Sequence, residues 1–207
     1  MRALSCRIWR PTPDRQASPD AFIRRTIRFE LLGGPIARPA SPMLSDRLDA
    51  SEPAANDYFA LLNLVHEYAD ALDDGDFDRV GALFVDADVY LPGWTGPAVR
   101  ARTGDFGQLL RDVVRVYPPR NTPRTRHVTT NHQIAFEGST AARMRSYFSV
   151  FQEVAPGNLQ PIICGTYDDR FAKVDGKWRF TERRQAVTAI GDLSAHLRVE
   201  LNLPLDN

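Results

Sequence analysis

Of the side chains able to move a proton near neutral pH, the chain holds four imidazoles, His66, His127, His132 and His196. His127 and His132 lie in one apolar-polar alternating run, an odd number of residues apart. On an unbulged strand they face opposite sides and cannot chelate one metal, so no dedicated metal site is expected. On the face of His127 stand Thr129 and Asn131, a polar set that burial would penalise unless its members found partners. A carboxylate beside His127 would fix its tautomer, raise its basicity and stabilise the imidazolium after proton capture, which makes a general base. The stretch Tyr68-Ala69-Asp70-Ala71-Leu72-Asp73 offers that carboxylate, since Tyr68 and Asp73 each lie one residue from an apolar stripe through Val65, Ala69 and Leu72. Asp74, Asp76 and Asp78 read as turn and cap residues.

Other chemistries are missing. There is no GxxxxGK[ST], no GxGxxG after a strand and no GxSxG, so neither phosphate cradling nor a serine nucleophile is indicated. Cys164 lies in an apolar run, where an inert packed thiol is expected.

Helical and strand periodicity define the elements that must position these groups. Leu61, Leu62, Val65, Ala69 and Leu72 recur at helical spacing behind a candidate cap at Asp57. Asp76 caps a shorter helix carrying Phe77, Val80, Leu83 and Phe84, and residues 87–91 read as a strand stopped by Pro92 and Gly93. A third helix is expected over 103–116, ended by Pro118 and Pro119. Everything beyond 125 alternates as strand, over 126–137, 141–155, 162–174 and 177–190, and Asp175-Gly176 is a two-residue hairpin turn. Helices first and an antiparallel sheet afterwards predict an α+β fold with the helices gathered on one face of the sheet. The domain is expected over 55–190. Residues 191–207 form a tail that either makes a short helix near 193–199 or trails across a neighbouring subunit.

Residues 1–50 differ from the rest: they hold 9 of the 26 basic residues, 5 of the 26 acidic ones and 6 of the 15 prolines. They read as a disordered basic extension, with a docking arm or a true start at Met43 as alternatives. The balanced charge of the whole chain leaves no field for nucleic acid or an anionic membrane. Two distant cysteines and no run of about 18 apolar residues suggest a cytoplasmic protein without a disulfide framework.

The segments EYADALDDGDFDRVGALFVDADVYLPG, TRHVTTNHQIAFEG and GTYDDRFAKVDGKWRFTERR resemble the SnoaL-like branch of the NTF2-like (ketosteroid isomerase-like) superfamily. The resemblance implies a curved antiparallel sheet wrapped around the helices into a cone with a ligand pocket at its open end. It is similar in arrangement to bile-acid 7α-dehydratases, scytalone dehydratase and lindane dehydrochlorinase, which eliminate a leaving group with an Asp and His pair and no cofactor. Carried over, Asp73 orients His127, Tyr68 donates to the leaving hydroxyl or an enolate oxygen, and Arg183 stabilises negative charge. Tyr90 is a weaker match to a second pocket tyrosine, and Trp94 and Asn131 are candidates for pocket lining. Asp70 or Asp76 could replace Asp73, and Arg184 could replace Arg183.

The expected function is therefore a cofactor-independent dehydratase-type lyase, or an isomerase, acting on an apolar small molecule. The resemblance also implies a homodimer or homotrimer. The alternative is a non-catalytic ligand-binding or assembly module, such as the small subunit of a ring-hydroxylating dioxygenase.

Overall fold

The computed structural model describes residues 55–199; the expected N-terminal extension and the residues beyond 199 lie outside that range. Helix α1 spans Ala55–Asp74. Leu61, Val65, Tyr68, Ala69 and Leu72 are its buried face, recurring three and four residues apart as an amphipathic helix on a sheet requires. Asp57 lies inside this helix rather than capping it, and accepts hydrogen bonds from Lys173 Nζ (2.6 Å) and Trp178 Nε1 (2.8 Å). Gly75, at φ +72°, stops the helix. Its N–H donates to Leu72 O and that of Asp76 to Ala71 O, the paired bonds of a Schellman cap.

Helix α2, Phe77–Leu83, is capped by Asp76, whose Oδ1 accepts from Arg79 N. Strand β1, Asp88–Tyr90, follows. Helix α3 occupies Phe106–Val113, shorter at both ends than its periodicity predicts. At the start Asp105 accepts from Gln108 N and so caps the helix late; at the end Val114 leaves it to bridge Leu197.

Strands β2 (Thr125–Phe136), β3 (Ala141–Ala155), β4 (Asn158–Val174) and β5 (Lys177–Ile190) complete an open, curved five-stranded sheet in the order β1-β5-β4-β3-β2. The long strands pair antiparallel as expected, but β1 pairs with β5 in parallel, so the sheet is mixed. Asp175 and Gly176 both take positive φ, the conformation of a two-residue hairpin turn.

Two bulges decide which side chains face the helices. In β2, Thr130 pairs with Tyr147 and Gln133 with Arg145, so Asn131 and His132 together oppose one residue of β3. Asn131, at φ +55° and exposed, is the turned residue. Beyond it the inward positions shift from odd to even: His127 and Thr129 before, His132, Ile134 and Phe136 after. His127 and His132 therefore face the same side, against the expectation for an unbroken strand. In β5, Phe180 pairs with Phe171 but Glu182 with Arg170. The extra residue turns Arg183 inward and leaves Arg184 exposed.

The core lies between α1, α2 and the concave face, with Phe84, Phe148, Tyr167, Phe171 and Phe180 at its centre. The described residues beyond β5, 191–199, form neither helix nor free tail. They turn once at Leu193–Leu197 and dock on their own domain: Leu197 bridges Val114, Arg115 N–H donates to His196 O and Arg198 N–H to Val113 O. No described helix is long and apolar enough to cross a membrane.

Candidate active site

Asp73 is the penultimate residue of α1, where the helix dipole disfavours a negative charge. No basic side chain stands in that turn to offset it. Strand β2 supplies the compensation. Thr125 Oγ1 donates to Asp73 Oδ1 (2.7 Å), the His127 backbone N–H to Oδ2 (2.9 Å) and His127 Nδ1–H to Oδ1 (2.6 Å). The Arg126 guanidinium lies 3.9 Å from Oδ2, on the solvent side. Both members of the pair are nearly enclosed, with side-chain exposures of 9% for His127 and 6% for Asp73. Burial works to raise the Asp73 pKa, but the His127 ring and backbone and the Thr125 hydroxyl outweigh it, and the net shift is downward. An ionised carboxylate that accepts from Nδ1 leaves the second ring nitrogen, Nε2, as the basic one. Chemically the arrangement is a buried, oriented proton acceptor.

The other acidic candidates are elsewhere. Asp70 is exposed and Asp76 caps α2.

Arg183 and Tyr68 form a separate cluster. The Arg183 guanidinium, fully buried, makes two 2.7 Å bonds to Asp169 through Nε and Nη2. It stacks on Tyr167 (4.1 Å to the ring centroid) and Tyr68 (4.2 Å), with Phe180 and Phe84 at 4.9 and 5.0 Å. Burial, with Arg183 and Tyr167 only partly offsetting it, raises the Tyr68 pKa. Burial also raises Asp169, against the attraction of the guanidinium; Arg183 itself stays charged because Asp169 holds its proton against desolvation. Tyr68 and Asp73 are five residues apart on α1, about 7.5 Å along its axis at 1.5 Å per residue. The expected four-residue set is thus split between the Asp73–His127 pair and a buried Tyr68–Tyr167–Asp169–Arg183 box.

The three residues expected to line a pocket are not brought to the pair. Asn131 is the exposed bulge residue. Trp94 is 46% exposed in the loop after β1. Tyr90, on the sheet edge, packs under the Arg184 guanidinium at 3.8 Å.

The site holds groups that strand and helix periodicity do not reveal. Thr125 sits two residues before His127 and shares its face. Asp169 reaches Arg183 only because of the β5 bulge; a regular hairpin from Asp175-Gly176 would oppose Arg183 with Asp168. Gln152, opposite Thr125 in the ladder, is fully buried and donates from Nε2 to Pro123 O (3.0 Å) and Ala195 O (3.1 Å). His196 arrives from the docked C-terminal turn, and burial and the neighbouring His127, opposed by Asp73, push its pKa down to about 4. Among the described residues no group of three or more His, Cys, Asp or Glu is placed to hold a metal ion.

A groove of about 550 Å³ between Asn63, Glu67, Lys173 and Trp178 lies near the opposite end of α1.

Comparison with known proteins follows this architecture. The model of the SnoaL-like domain family matches residues 53–184. No curated protein matches. Among solved structures, a provisional scytalone dehydratase from Novosphingobium aromaticivorans is 22% identical, with a TM-score of 0.55 over 72% of this chain and 92% of that one. LinA, whose type 2 form is a hexachlorocyclohexane dehydrochlorinase, is 19% identical, with a TM-score of 0.52 over 67% and 90%. A provisional aromatic ring hydroxylase from the same Novosphingobium is 20% identical, with a TM-score of 0.52 over 68% and 96%. At these identities the likeness is one of fold.

Proposed function

Because this chain belongs to the family of SnoaL-like domains, we propose that it is a cofactor-independent lyase acting by dehydration on an apolar small molecule, with His127 as the general base. The observation that carries the reading is the 2.6 Å bond between His127 Nδ1 and Asp73, on a carboxylate held by two further donors from the same strand. A helix-end aspartate buried against the dipole and held by a hydroxyl, a backbone N–H and one imidazole is costly as mere packing. It suits a base that must accept a proton and keep its orientation.

In the reaction, the His127 Nε2 lone pair takes a proton from a carbon adjacent to a carbonyl. The C–H electrons form the new double bond, the C–O bond of the leaving hydroxyl breaks with its pair, and the departing oxygen receives the proton from the His127 imidazolium and leaves as water. No net oxidation occurs, and Asp73 stays ionised throughout. Isomerisation would use the same first step and return the proton to another carbon. The scytalone dehydratase and dehydrochlorinase neighbours, both named for eliminations, support this class. Arg183 and Tyr68 are proposed to act as positioning residues, holding α1 on β5 and thereby setting the height of Asp73.

The test is turnover of a panel of polycyclic β-hydroxy ketones in D₂O, followed by mass spectrometry for loss of water and for deuterium uptake. His127→Ala is expected to lower the rate of any substrate found by about 10²- to 10⁴-fold, the usual contribution of a positioned base, with its thermal unfolding still cooperative. Undiminished elimination by that variant refutes the assignment.

A further inference from the structure

The C-terminal turn brings a second imidazole to the site. It is tied down by several contacts: Tyr117 Oη and Gln152 Nε2 both donate to Ala195 O, Arg115 N–H to His196 O, and Arg115 Nε to Leu197 O. These bonds fix the backbone on either side of His196 while asking nothing of its ring. His196 Nδ1 is buried and has no hydrogen-bond partner, and Gln152 Oε1 is in the same condition. The two residues are linked through structure, since Gln152 Nε2 donates to the carbonyl of Ala195, the residue preceding His196. Both adjoin the base: Gln152 stands opposite Thr125 in the ladder, Thr125 donates to Asp73, and the charges felt by His196 are those of His127 and Asp73.

Buried polar atoms without partners are rare and call for an explanation. Here the two have complementary capacities. A carboxamide oxygen accepts only, whereas a neutral imidazole can donate from Nδ1. An alcohol oxygen satisfies both at once, giving its proton to Gln152 Oε1 and accepting from His196 Nδ1–H; a carbonyl oxygen satisfies His196. We infer that His196 is a further substrate-contacting residue that, with Gln152, binds the oxygen function of the ligand beside His127. The inference rests on the reading of the site as one for elimination and assigns the second half of that site. One imidazole is oriented by Asp73 through Nδ1 and handles the proton; the other, which burial keeps neutral near pH 7, hydrogen-bonds the oxygen without itself ionising.

The experiment is binding rather than turnover, so it does not depend on the reaction. 2-Naphthol carries one hydroxyl on an apolar body, and naphthalene is its oxygen-free control. Titration of the ¹⁵N-histidine-labelled full chain with 2-naphthol is expected to shift the ring nitrogens of His196, with naphthalene leaving them in place. His196→Phe is expected to weaken 2-naphthol about tenfold, as loss of one good hydrogen bond does, and naphthalene less than twofold. His196→Gln, which keeps a donor and removes the ring, guards against a folding defect and is expected to restore part of the loss. Shifts at His127 alone, equal losses for both ligands, or no binding of 2-naphthol to the wild type would overturn the inference. None of these outcomes touches the His127→Ala turnover test, whose failure would instead sink the elimination itself.

Discussion

Arg183 shows how far one side chain can depart from the role its type suggests. An arginine on the last strand reads as a grip for a developing anion, yet both of its directed bonds go to Asp169 and its faces are covered by aromatic rings. A charge pair of this kind is a weak source of net stability when intact, because desolvation offsets the attraction, but breaking it strands a buried charge. Arg183→Met is therefore expected to destabilise the fold by about 3–5 kcal/mol, measured by urea unfolding. Adding Asp169→Leu should return much of that loss, since the second change removes the stranded carboxylate. A double variant as unstable as the sum of the singles would show that the two do not act as a pair. Lost activity in an Arg183 variant by itself thus says little about chemistry. Asp73 is the contrary case: its three donors all come from Thr125 and His127, so the site depends on one stretch of three residues meeting one helix end.

At the scale of elements, the bulges matter more than the strands they interrupt. Alternation along β2 places His127, Thr129 and Asn131 on one face, and this is legible in the residues themselves until the chain reaches Asn131. There one extra residue changes the parity, sending Asn131 to solvent and His132 inward to meet the His66 ring at 5.6 Å. The same event in β5 selects Arg183 over Arg184, a choice that alternation from Trp178 and Phe180 would have made the other way. Asparagine is among the few non-glycine residues that accept positive φ, and a β-branched side chain is not. Asn131→Gly is expected to change stability by less than about 0.5 kcal/mol, whereas Asn131→Val should cost about 1–2 kcal/mol in left-handed strain. Equal tolerance of both in thermal unfolding would mean that the bulge is set by its neighbours and not by this residue.

For the molecule as a whole, the described domain closes on itself when the turn at Leu193–Leu197 docks against α3 and the following loop, burying His196. An imidazole held near pKa 4 in the fold and near 6.5 in the unfolded chain binds fewer protons when folded, so stability rises with pH through that window. Asp73, shifted below its ordinary value, adds stability that is present above about pH 4 and lost below it. Acidification from pH 7 to 4.5 is accordingly expected to lower the unfolding free energy by about 1–3 kcal/mol, read as a falling urea midpoint at constant slope. In His196→Gln the part of that slope between pH 6.5 and 4.5 should shrink; an unchanged profile would place the sensitivity in other groups. Local physics determined a large share of this protein. Helical spacing in α1, the Asp76 cap, the Asp-Gly turn and strand alternation follow from short-range rules; these offered Asp73 and His127 as candidates, while the pairing itself came with the family resemblance and left Asp70 and Asp76 open. What only the tertiary structure decided were the residues whose direction depends on a partner distant in the chain: Arg183, turned to Asp169 by a bulge; Asn131, turned away by another; and His196, carried to the site by a segment with no secondary-structure signal. The physical reason is common to all three. Periodicity reports the average direction of side chains along an element, and a single inserted residue or a docked turn redirects them at a cost that is met only by contacts made across the fold.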